Sequence, residues 1–207
     1  MLISCADVPV HTLPFTGQET GVDLGLESFA PLADGQRSFT PGYDRQAEAY
    51  LRRCQRRVAR RKKGSHRRRK AVVLLAKAHQ HIANQRRDFH HKEASKLVQG
   101  YDVISHEDLR VANMVQNHHL AKSIADAGWS AFLSILTFKA AGAGKRVQVV
   151  NPAFTSQRCS GPECGVIVQK GLSVRWHACP ECGTRLHRDH NAARNILRQG
   201  QTQARRA

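Results

Sequence analysis

Two pairs of cysteines near the carboxyl end of the chain constrain its folding more than any other feature. Cys159 and Cys164 form the first pair, Cys179 and Cys182 form the second, and 14 residues separate the pairs. Four thiolates at such a spacing can reach one tetrahedral Zn²⁺ ion, and the glycine after each pair suits the tight turn that this requires. Because four sulfurs leave no open coordination position, the zinc would be structural.

The alternative is that these cysteines are free or disulfide-bonded. Two residues separate the cysteines of the second pair, as is usual for zinc, but four separate those of the first. His177 and His187 lie nearby and could replace a cysteine as ligands, although isolated histidines beside four cysteines more often have other roles. The clustering of four of the six cysteines in one short segment favours a metal.

The charge of the chain indicates a polyanionic partner. Its 207 residues contain 33 Lys and Arg against 16 Asp and Glu, a formal net charge of +17. Such an excess favours nucleic acid through the release of condensed counterions. The alternative is a basic protein of the ribosomal type or one that binds polyanions without specificity. No long apolar run or signal peptide is recognisable, so we expect no membrane association and a cytoplasmic, nucleoid-associated location.

The hydrophobic pattern predicts an α/β protein. Short β segments with a turn at Asp34-Gly35 are expected over residues 18–40, and strands are expected near Val103 and over residues 147–150. The strand at Val103 should pack beside the one that contains Val22. A continuous helix is expected over residues 120–141, with an apolar face made of Ile124, Trp129, Phe132, Leu133, Leu136 and Phe138.

A basic helical hairpin is predicted between the first two strands. Apolar residues recur at helical spacing on both sides of Gly64, which should lie near the tip. Twelve Lys or Arg and no acid occur between Arg52 and Lys70. A solvated helix face is one explanation, and contact with nucleic acid phosphates is the other, since unrelieved like charge weakens a helix. The candidate phosphate contacts are Arg56, Arg57, Arg60, Arg61, Lys62, Lys63, Arg67, Arg68, Arg69 and Lys70.

Three acids occur at the ends of predicted core elements. Asp23 and Glu107 each end a strand, and Asp189 precedes a helix expected over residues 191–197. Each has an ordinary explanation, and an aspartate such as Asp189 is most often a helix N-cap. Together they can hold a pair of Mg²⁺ ions roughly 4 Å apart, which would hydrolyse phosphodiester bonds. Asp108 should face the opposite side of its strand, so it is only a supporting candidate.

Several motifs in one order resemble the TnpB (OrfB-type) proteins of bacterial insertion sequences. The resemblance covers about residues 16–198. The motifs are Gly21-Val-Asp-Leu-Gly, the basic hairpin, Glu107-Asp-Leu, Asn117-His-His-Leu-Ala-Lys, Ala127-Gly-Trp, Thr155-Ser-Gln-Arg-Cys and His187-Arg-Asp-His-Asn-Ala-Ala-Arg-Asn-Ile.

The resemblance implies a RuvC-like, ribonuclease-H-type nuclease core with an inserted zinc ribbon. In that family an RNA guides the cleavage of DNA, and many members are described as transposases. Asp23, Glu107 and Asp189 match the catalytic, magnesium-binding acids, and Cys159, Cys164, Cys179 and Cys182 match the zinc ligands. DNA is the implied substrate and a guide RNA the implied partner in intact members.

The resemblance also divides the chain into segments. Residues 1–16 are expected to be the remnant of a preceding β-rich domain, and residues 17–154 a nuclease core that includes the hairpin at 43–98. Residues 155–188 are expected to form the zinc ribbon, and residues 189–207 a final helix and basic tail. Because family members normally carry a long amino-terminal half, two functions stay open: a DNA endonuclease core, or a truncated, catalytically silent remnant that binds nucleic acid.

Overall fold

The centre of the fold is a three-stranded parallel sheet. A computed structural model describes residues 12–171 and 173–205. Strands β1 (Glu19–Val22), β2 (Val103–Glu107) and β3 (Arg146–Val150) lie in the order β1-β2-β3. Val22 pairs with His106, and Ile104 pairs with Val147. The predicted pairing of the Val22 and Val103 strands is therefore confirmed, as is the mixed helix and sheet class.

Helices cover both faces of this sheet. Side chains alternate along a strand, so Ile104 and Ser105 point to opposite faces. Ile104 is fully buried in the main core, whereas Ser105 faces the last helix, α6 (Arg188–Ala204). The main core also contains buried residues of two helices, α2 (His66–Gly100) and α5 (Trp129–Gly142). The sheet is therefore the middle layer of three.

The predicted basic hairpin is present. Helix α1 spans Tyr43–Ala59 and α2 spans His66–Gly100, with Gly64 in the left-handed conformation at the turn between them (φ 81°). Ser65 caps α2 by accepting a hydrogen bond from the amide of Arg68. The Arg68 guanidinium donates to the carbonyl oxygens of Val58 and Arg61 at 2.9 and 3.1 Å, so it also caps the end of α1.

The prediction of one helix over residues 120–141 is wrong. A short helix α3 (Val111–Met114) is followed by α4 (Ala121–Ala127) and α5 (Trp129–Gly142), and Gly128 separates the last two. Gly128 is left-handed (φ 63°), and a Cβ there would lie 3.1 Å from the side chains of Arg86 and His90 on α2. The chain therefore turns at Gly128, where α2 passes so closely that only glycine fits easily. The residues on either side of Gly128 keep a helical pattern, which is why the sequence predicts one helix.

One residue of the predicted apolar face is also misplaced. Trp129, Phe132 and Leu136 are buried in the main core, whereas Phe138 is 81% exposed. Helix α5 contacts α2 and the sheet along one side only, so an apolar residue on its opposite side remains in solvent.

The segment after β1 is less regular than predicted. The turn at Asp34-Gly35 is present, and the side chain of Asp34 accepts a hydrogen bond from the amide of Gln36 at 2.9 Å. The flanking residues make only isolated antiparallel bridges, Val22 with Leu32 and Ser28 with Phe39. Of the predicted segment 1–16, residues 1–11 lie outside the described part of the chain. No described helix is long and apolar enough to cross a membrane.

The carboxyl-terminal part contains a small antiparallel ribbon followed by α6. Strands β4 (Trp176–Ala178) and β5 (Arg185–His187) pair with each other, and α6 begins directly after β5. The helix begins at Arg188 and ends at Ala204, so the range predicted for it, 191–197, is too short. Gly21 and Gly200 mark the contact of α6 with the sheet. A Cβ at Gly21 would overlap the carbonyl oxygen of Ala193, and one at Gly200 would overlap the hydroxyl of Ser105.

A buried aspartate joins the hairpin to the rest of the core. Asp126 at the end of α4 is 8% exposed. It accepts a hydrogen bond from the amide of Asp44 at 3.2 Å and one from the guanidinium of Arg86 at 2.9 Å. This carboxylate therefore caps α1 and binds α2 at the same time, which fixes the base of the hairpin.

Replacing Asp126 with Ala is expected to destabilise the fold by about 3 kcal/mol, because it removes the 2.9 Å ion pair with Arg86 and leaves the first turn of α1 uncapped. Arg86 would keep only its longer contact with Asp44, at 3.9 Å. Urea unfolding followed by circular dichroism measures this change. Asp88→Ala on α2 is the matched control, since Asp88 pairs only with exposed Lys92. Equal destabilisation by the two substitutions would contradict the role assigned to Asp126.

Candidate functional site

The three predicted acids meet at the carboxyl edge of the parallel sheet. Asp23 follows the last residue of β1, Glu107 is the last residue of β2, and Asp189 is the second residue of α6. Clefts at the carboxyl ends of parallel strands are the usual ligand sites of such sheets. The close contact of α6 with Gly21 carries the start of this helix toward the same edge.

The carboxylates are close enough to influence one another's ionisation. Burial raises the pKa of Asp23 well above its usual value, and the negative charges of Glu107 and Asp189 raise it further. Arg188 partly opposes this rise. The pKa of Glu107 is raised as well, mainly by burial. A buried carboxyl beside two further acids is a natural site for a divalent cation, which would favour its ionised form.

The three acids lie near one another but do not form one tight cluster. Their oxygens do not all lie within 4.8 Å of one another. Two other groups of possible metal ligands in the described part of the chain do meet this limit. Asp108 is exposed and lines an open cavity of about 630 Å³ beside β3, together with Arg110 and Asn113. Asp108 follows the last residue of β2, and its role as a supporting candidate stays a prediction.

Asp189 is not the N-cap of α6. His187 occupies that position, and its Nδ1 accepts a hydrogen bond from the amide of Asp189 at 3.4 Å. The side chain of Asp189 therefore does not cap the helix, so the ordinary explanation for an aspartate at this position does not apply. Its carboxylate lies on the first turn of the helix, where the helix dipole favours negative charge.

The sequence did not reveal the residues that position Glu107. The hydroxyl of Thr155 donates to its carboxylate, and the backbone oxygen of Thr155 accepts a hydrogen bond from the side chain of Asn195 at 2.8 Å. Asn195 is 2% exposed and projects from α6. The helix that carries Asp189 therefore also holds the group that orients Glu107. The signals in the sequence were the motifs Thr155-Ser-Gln-Arg-Cys and His187-Arg-Asp-His-Asn-Ala-Ala-Arg-Asn-Ile, which contain these residues without indicating their contact.

Arg188 is a second residue that the sequence did not single out for this site. Its guanidinium donates to the carbonyl oxygen of Gly171 at 2.9 Å and to the hydroxyl of Ser156 at 3.1 Å. It therefore joins the start of α6 to the loops that precede β4. Its charge also lowers the pKa of Asp23. A fixed cation beside three acids leaves the site less negative than the carboxylates alone would make it.

The four predicted cysteines form one cluster. Their sulfur atoms all lie within 4.8 Å of one another, and both Cys159–Cys182 and Cys164–Cys179 are 3.6 Å apart. A zinc–sulfur bond of 2.3 Å places the sulfurs of a tetrahedral site about 3.8 Å apart. A disulfide needs about 2.05 Å, so the alternative of disulfide bonding is wrong for these pairs. The cluster thus fits a zinc ion.

The longer first pair has a structural reason. Gly161 lies between its cysteines and donates its amide to Cys159 Sγ at 3.3 Å. A Cβ on Gly161 would lie 2.6 Å from Thr184 Oγ1 and 3.0 Å from Cys182 Sγ. The loop thus passes closely over the second pair. Hydrogen bonds from Thr184 lower the pKa of Cys182 to about 6, which favours the thiolate that a metal requires.

Neither candidate histidine belongs to this cluster. His177 is buried, and its Nδ1 lies 2.6 Å from Lys170 Nζ. His187 caps α6. Four sulfurs without a histidine agree with a closed, structural site.

Helix α6 also holds the first cysteine loop. Asn191 is fully buried, accepts a hydrogen bond from the amide of Ser160 at 3.0 Å and donates to the carbonyl oxygen of Arg158 at 2.8 Å. One helical turn further on, Asn195 donates to the same oxygen at 2.6 Å, and Arg198 donates to the carbonyl oxygen of Ser160 at 3.2 Å. One face of α6 therefore binds the loop that carries Cys159.

The basic residues of the hairpin lie around its tip. Eight of the ten candidate phosphate contacts are exposed, and Arg61 and Arg68 are half-buried. Arg68 also caps α1, as described above. On α1, Arg53, Arg56, Arg57, Arg60 and Arg61 line an open groove of about 440 Å³. A surface with this concentration of guanidinium groups is suited to phosphates.

Loss of one sulfur is expected to abolish metal binding by the cysteine cluster. Purified Cys182→Ser protein should contain less than about a tenth of the zinc bound by the wild type, because three ligands and a solvent-exposed fourth position hold the ion poorly. Elemental analysis after gel filtration measures the zinc content. Cys54→Ala is the control, because Cys54 is buried in the hairpin. Wild-type zinc content in Cys182→Ser would contradict the assignment.

Two family models match the chain. One described as "Probable transposase" (OrfB_IS605) matches residues 4–118, and one described as "Cas12f1-like, TNB domain" matches residues 129–196. Together they include the sheet, the basic hairpin and the cysteine cluster.

Individual relatives agree with these models. A protein of Streptomyces pristinaespiralis named "Putative RNA-guided DNA endonuclease" is 38% identical over 95% of this chain and 48% of its own length. A protein of Escherichia coli K12 named "Putative RNA-guided DNA endonuclease InsQ" is 32% identical over 93% of this chain and 50% of its own length. The chain thus spans about half the length of these relatives.

A solved structure is similar in fold. The cryo-EM structure of the Cas12f1–sgRNA–target DNA complex matches with a TM-score of 0.57 at 15% identity, over 89% of this chain and 50% of that one. The match of the transposase model to more than half of the chain is decisive for the family. The chain belongs to the TnpB (OrfB-type, IS605) family of probable transposases.

Proposed function

We propose that the chain is a metal-dependent DNA endonuclease core of the TnpB type. The observation that supports this most is the convergence of Asp23, Glu107 and Asp189 at the carboxyl edge of the sheet, where burial and then the charges of Glu107 and Asp189 raise the pKa of Asp23. A cluster of mutually repelling carboxylates destabilises a protein and is retained where a cation or a reaction needs it. The names of the relatives agree with nuclease activity.

The fold proposed for this core is RuvC-like, of the ribonuclease H type. A parallel sheet between layers of helices, with the acids at its carboxyl edge, supports it, as does the likeness to the Cas12f1 complex. We assign residues 17–154 and 189–207 to the core and residues 155–188 to a zinc ribbon. The buried Asn191 and Asn195 tie the ribbon to α6, so the metal of the ribbon would stabilise the start of the helix that carries Asp189.

The proposed cofactors are a structural Zn²⁺ ion in the cysteine cluster and Mg²⁺ at the three acids. When bound, Mg²⁺ supplies an activated water and stabilises the leaving oxygen of a phosphodiester. Asp23, Glu107 and Asp189 would provide its carboxylate ligands. Thr155 would keep Glu107 oriented, and Arg188 would limit the negative charge that an approaching phosphate meets.

The proposed nucleic acid partners are DNA as substrate and RNA as guide. The exposed basic residues at the tip of the hairpin would bind the phosphate backbone, with binding that weakens as salt is raised. Arg68 is already engaged with the end of α1, so it would contribute less than its exposed neighbours.

A second function is supported by the exposure of the basic residues. In this proposal the chain binds nucleic acid through the hairpin and is catalytically silent. Binding and cleavage can be measured on the same samples, which separates the two proposals.

Purified protein is expected to nick single-stranded DNA in the presence of Mg²⁺, whereas Asp23→Asn, Glu107→Gln and Asp189→Asn should each lose at least about a hundredfold in rate. Gel electrophoresis of end-labelled DNA measures the cleavage. Asp88→Asn on the exposed side of α2 is the control. If wild type and acid variants bind DNA with a steep salt dependence and none cleaves it, the silent remnant is the correct proposal.

The magnesium site can also be tested without cleavage. Because ionisation of Asp23 is disfavoured in the folded state, its charge costs stability as the pH rises through its raised pKa. At neutral pH without Mg²⁺, Asp23→Asn should therefore melt higher than the wild type, by about 2–4 °C for each kcal/mol of relieved repulsion. Added Mg²⁺ should raise the Tm of the wild type but not that of the variant. Equal responses of both proteins to Mg²⁺ would contradict a site that uses Asp23.

A further inference from the structure

A second group of possible metal ligands combines Asp189 with two residues outside the three acids. Glu27 belongs to the loop after β1, His187 ends β5, and Asp189 is on the first turn of α6. One ligand atom of each lies within 4.8 Å of those of the other two. His187 Nε2 is 3.9 Å from Glu27 Oε1, and His187 Nδ1 is 3.7 Å from Asp189 Oδ2. The imidazole therefore lies between two carboxylates that come from different parts of the chain.

The histidine is held in this position by its surroundings. The side chain of His187 is 17% exposed, and the edge of its ring packs against Trp176 with the centroids 5.9 Å apart. Its capping of α6 fixes it relative to Asp189. Glu27 is 49% exposed and currently pairs with Arg175 at 3.3 Å, so one side of the group is open to solvent. An ion could enter from that side and replace the guanidinium.

We propose that Glu27, His187 and Asp189 form a second metal site, which takes a borderline divalent cation such as Zn²⁺ rather than Mg²⁺. One imidazole and two carboxylates carry a net charge of −2 that matches the ion. Imidazole nitrogen suits zinc and its neighbours in the transition series, whereas Mg²⁺ prefers oxygen ligands. A metal there would join the loop after β1 to the start of α6.

The site shares Asp189 with the proposed magnesium site, and this consequence rests on the proposed function. Zn²⁺ bound to Glu27, His187 and Asp189 would draw the Asp189 carboxylate away from Asp23 and Glu107. Excess Zn²⁺ should then inhibit Mg²⁺-dependent cleavage, and Glu27→Gln should resist this inhibition while it keeps its activity. The existence of the second site does not depend on cleavage.

The direct test counts zinc ions. Wild-type protein is dialysed against buffered Zn²⁺ in excess Mg²⁺, and its zinc content is measured by elemental analysis. One ion is expected in the cysteine cluster and a second at Glu27, His187 and Asp189. Glu27→Gln and His187→Asn should each weaken the second ion at least about tenfold and keep the first. Asparagine is a favoured N-cap, so His187→Asn removes the imidazole without uncapping α6.

Two further variants make the result specific. His119→Gln removes an exposed histidine outside the group and should keep both ions. Asp23→Asn should also keep both ions, although it is expected to lose cleavage, so failure of the nuclease proposal and failure of this one are distinguishable. The inference is overturned if the wild type takes up zinc only in the cysteine cluster, if Glu27→Gln keeps the second ion at wild-type affinity, or if His119→Gln loses it.

Discussion

Helix α6 approaches the sheet closely at two glycines, and all three candidate metal sites depend on where this helix lies. Gly21 on β1 and Gly200 on α6 lack the Cβ atoms that would hold the two elements apart. Close approach carries Asp189 to the edge where β1 and β2 end. It also presents Asn191 and Asn195, buried and hydrogen-bonded, to the loop that bears Cys159. A larger residue at Gly21 would therefore disturb the acids and the ribbon together.

The cysteine cluster lies close to Asp189 in the sequence, and the polar groups that α6 buries explain this proximity. Between Cys182 and Asp189 the chain makes only the short strand β5 before α6 begins. This short connection is fixed at both ends. Cys182 at its start belongs to the cysteine cluster, and the asparagines of α6 after its end bind the loop that carries Cys159. Buried amides that satisfy backbone carbonyls make such a contact specific, since any shift would leave them unpaired.

The opposite charges of the molecule are arranged separately. The chain carries +17 overall, with much of the excess at the tip of the hairpin, while the three acids lie at the carboxyl edge of the sheet. The hairpin is anchored at its base by Asp126 and Arg86, so its basic end extends from a fixed point. Basic and acidic groups are thus concentrated on different elements of the fold.

The sequence by itself determined the α/β class, the basic hairpin with its turn at Gly64, the four-cysteine cluster and the approximate place of each acid, because periodicity, turn residues and ligand spacing are local properties. It failed where the answer depended on a partner element. The break at Gly128 lies where the chain meets Arg86 and His90 of α2, and Phe138 is exposed although it shares the apolar pattern of its helix. Only the tertiary structure decided that Thr155 and Asn195 orient Glu107 and that Glu27 lies beside His187. Glu27 and His187 are 160 positions apart, and no local pattern in a chain encodes a contact over such a distance.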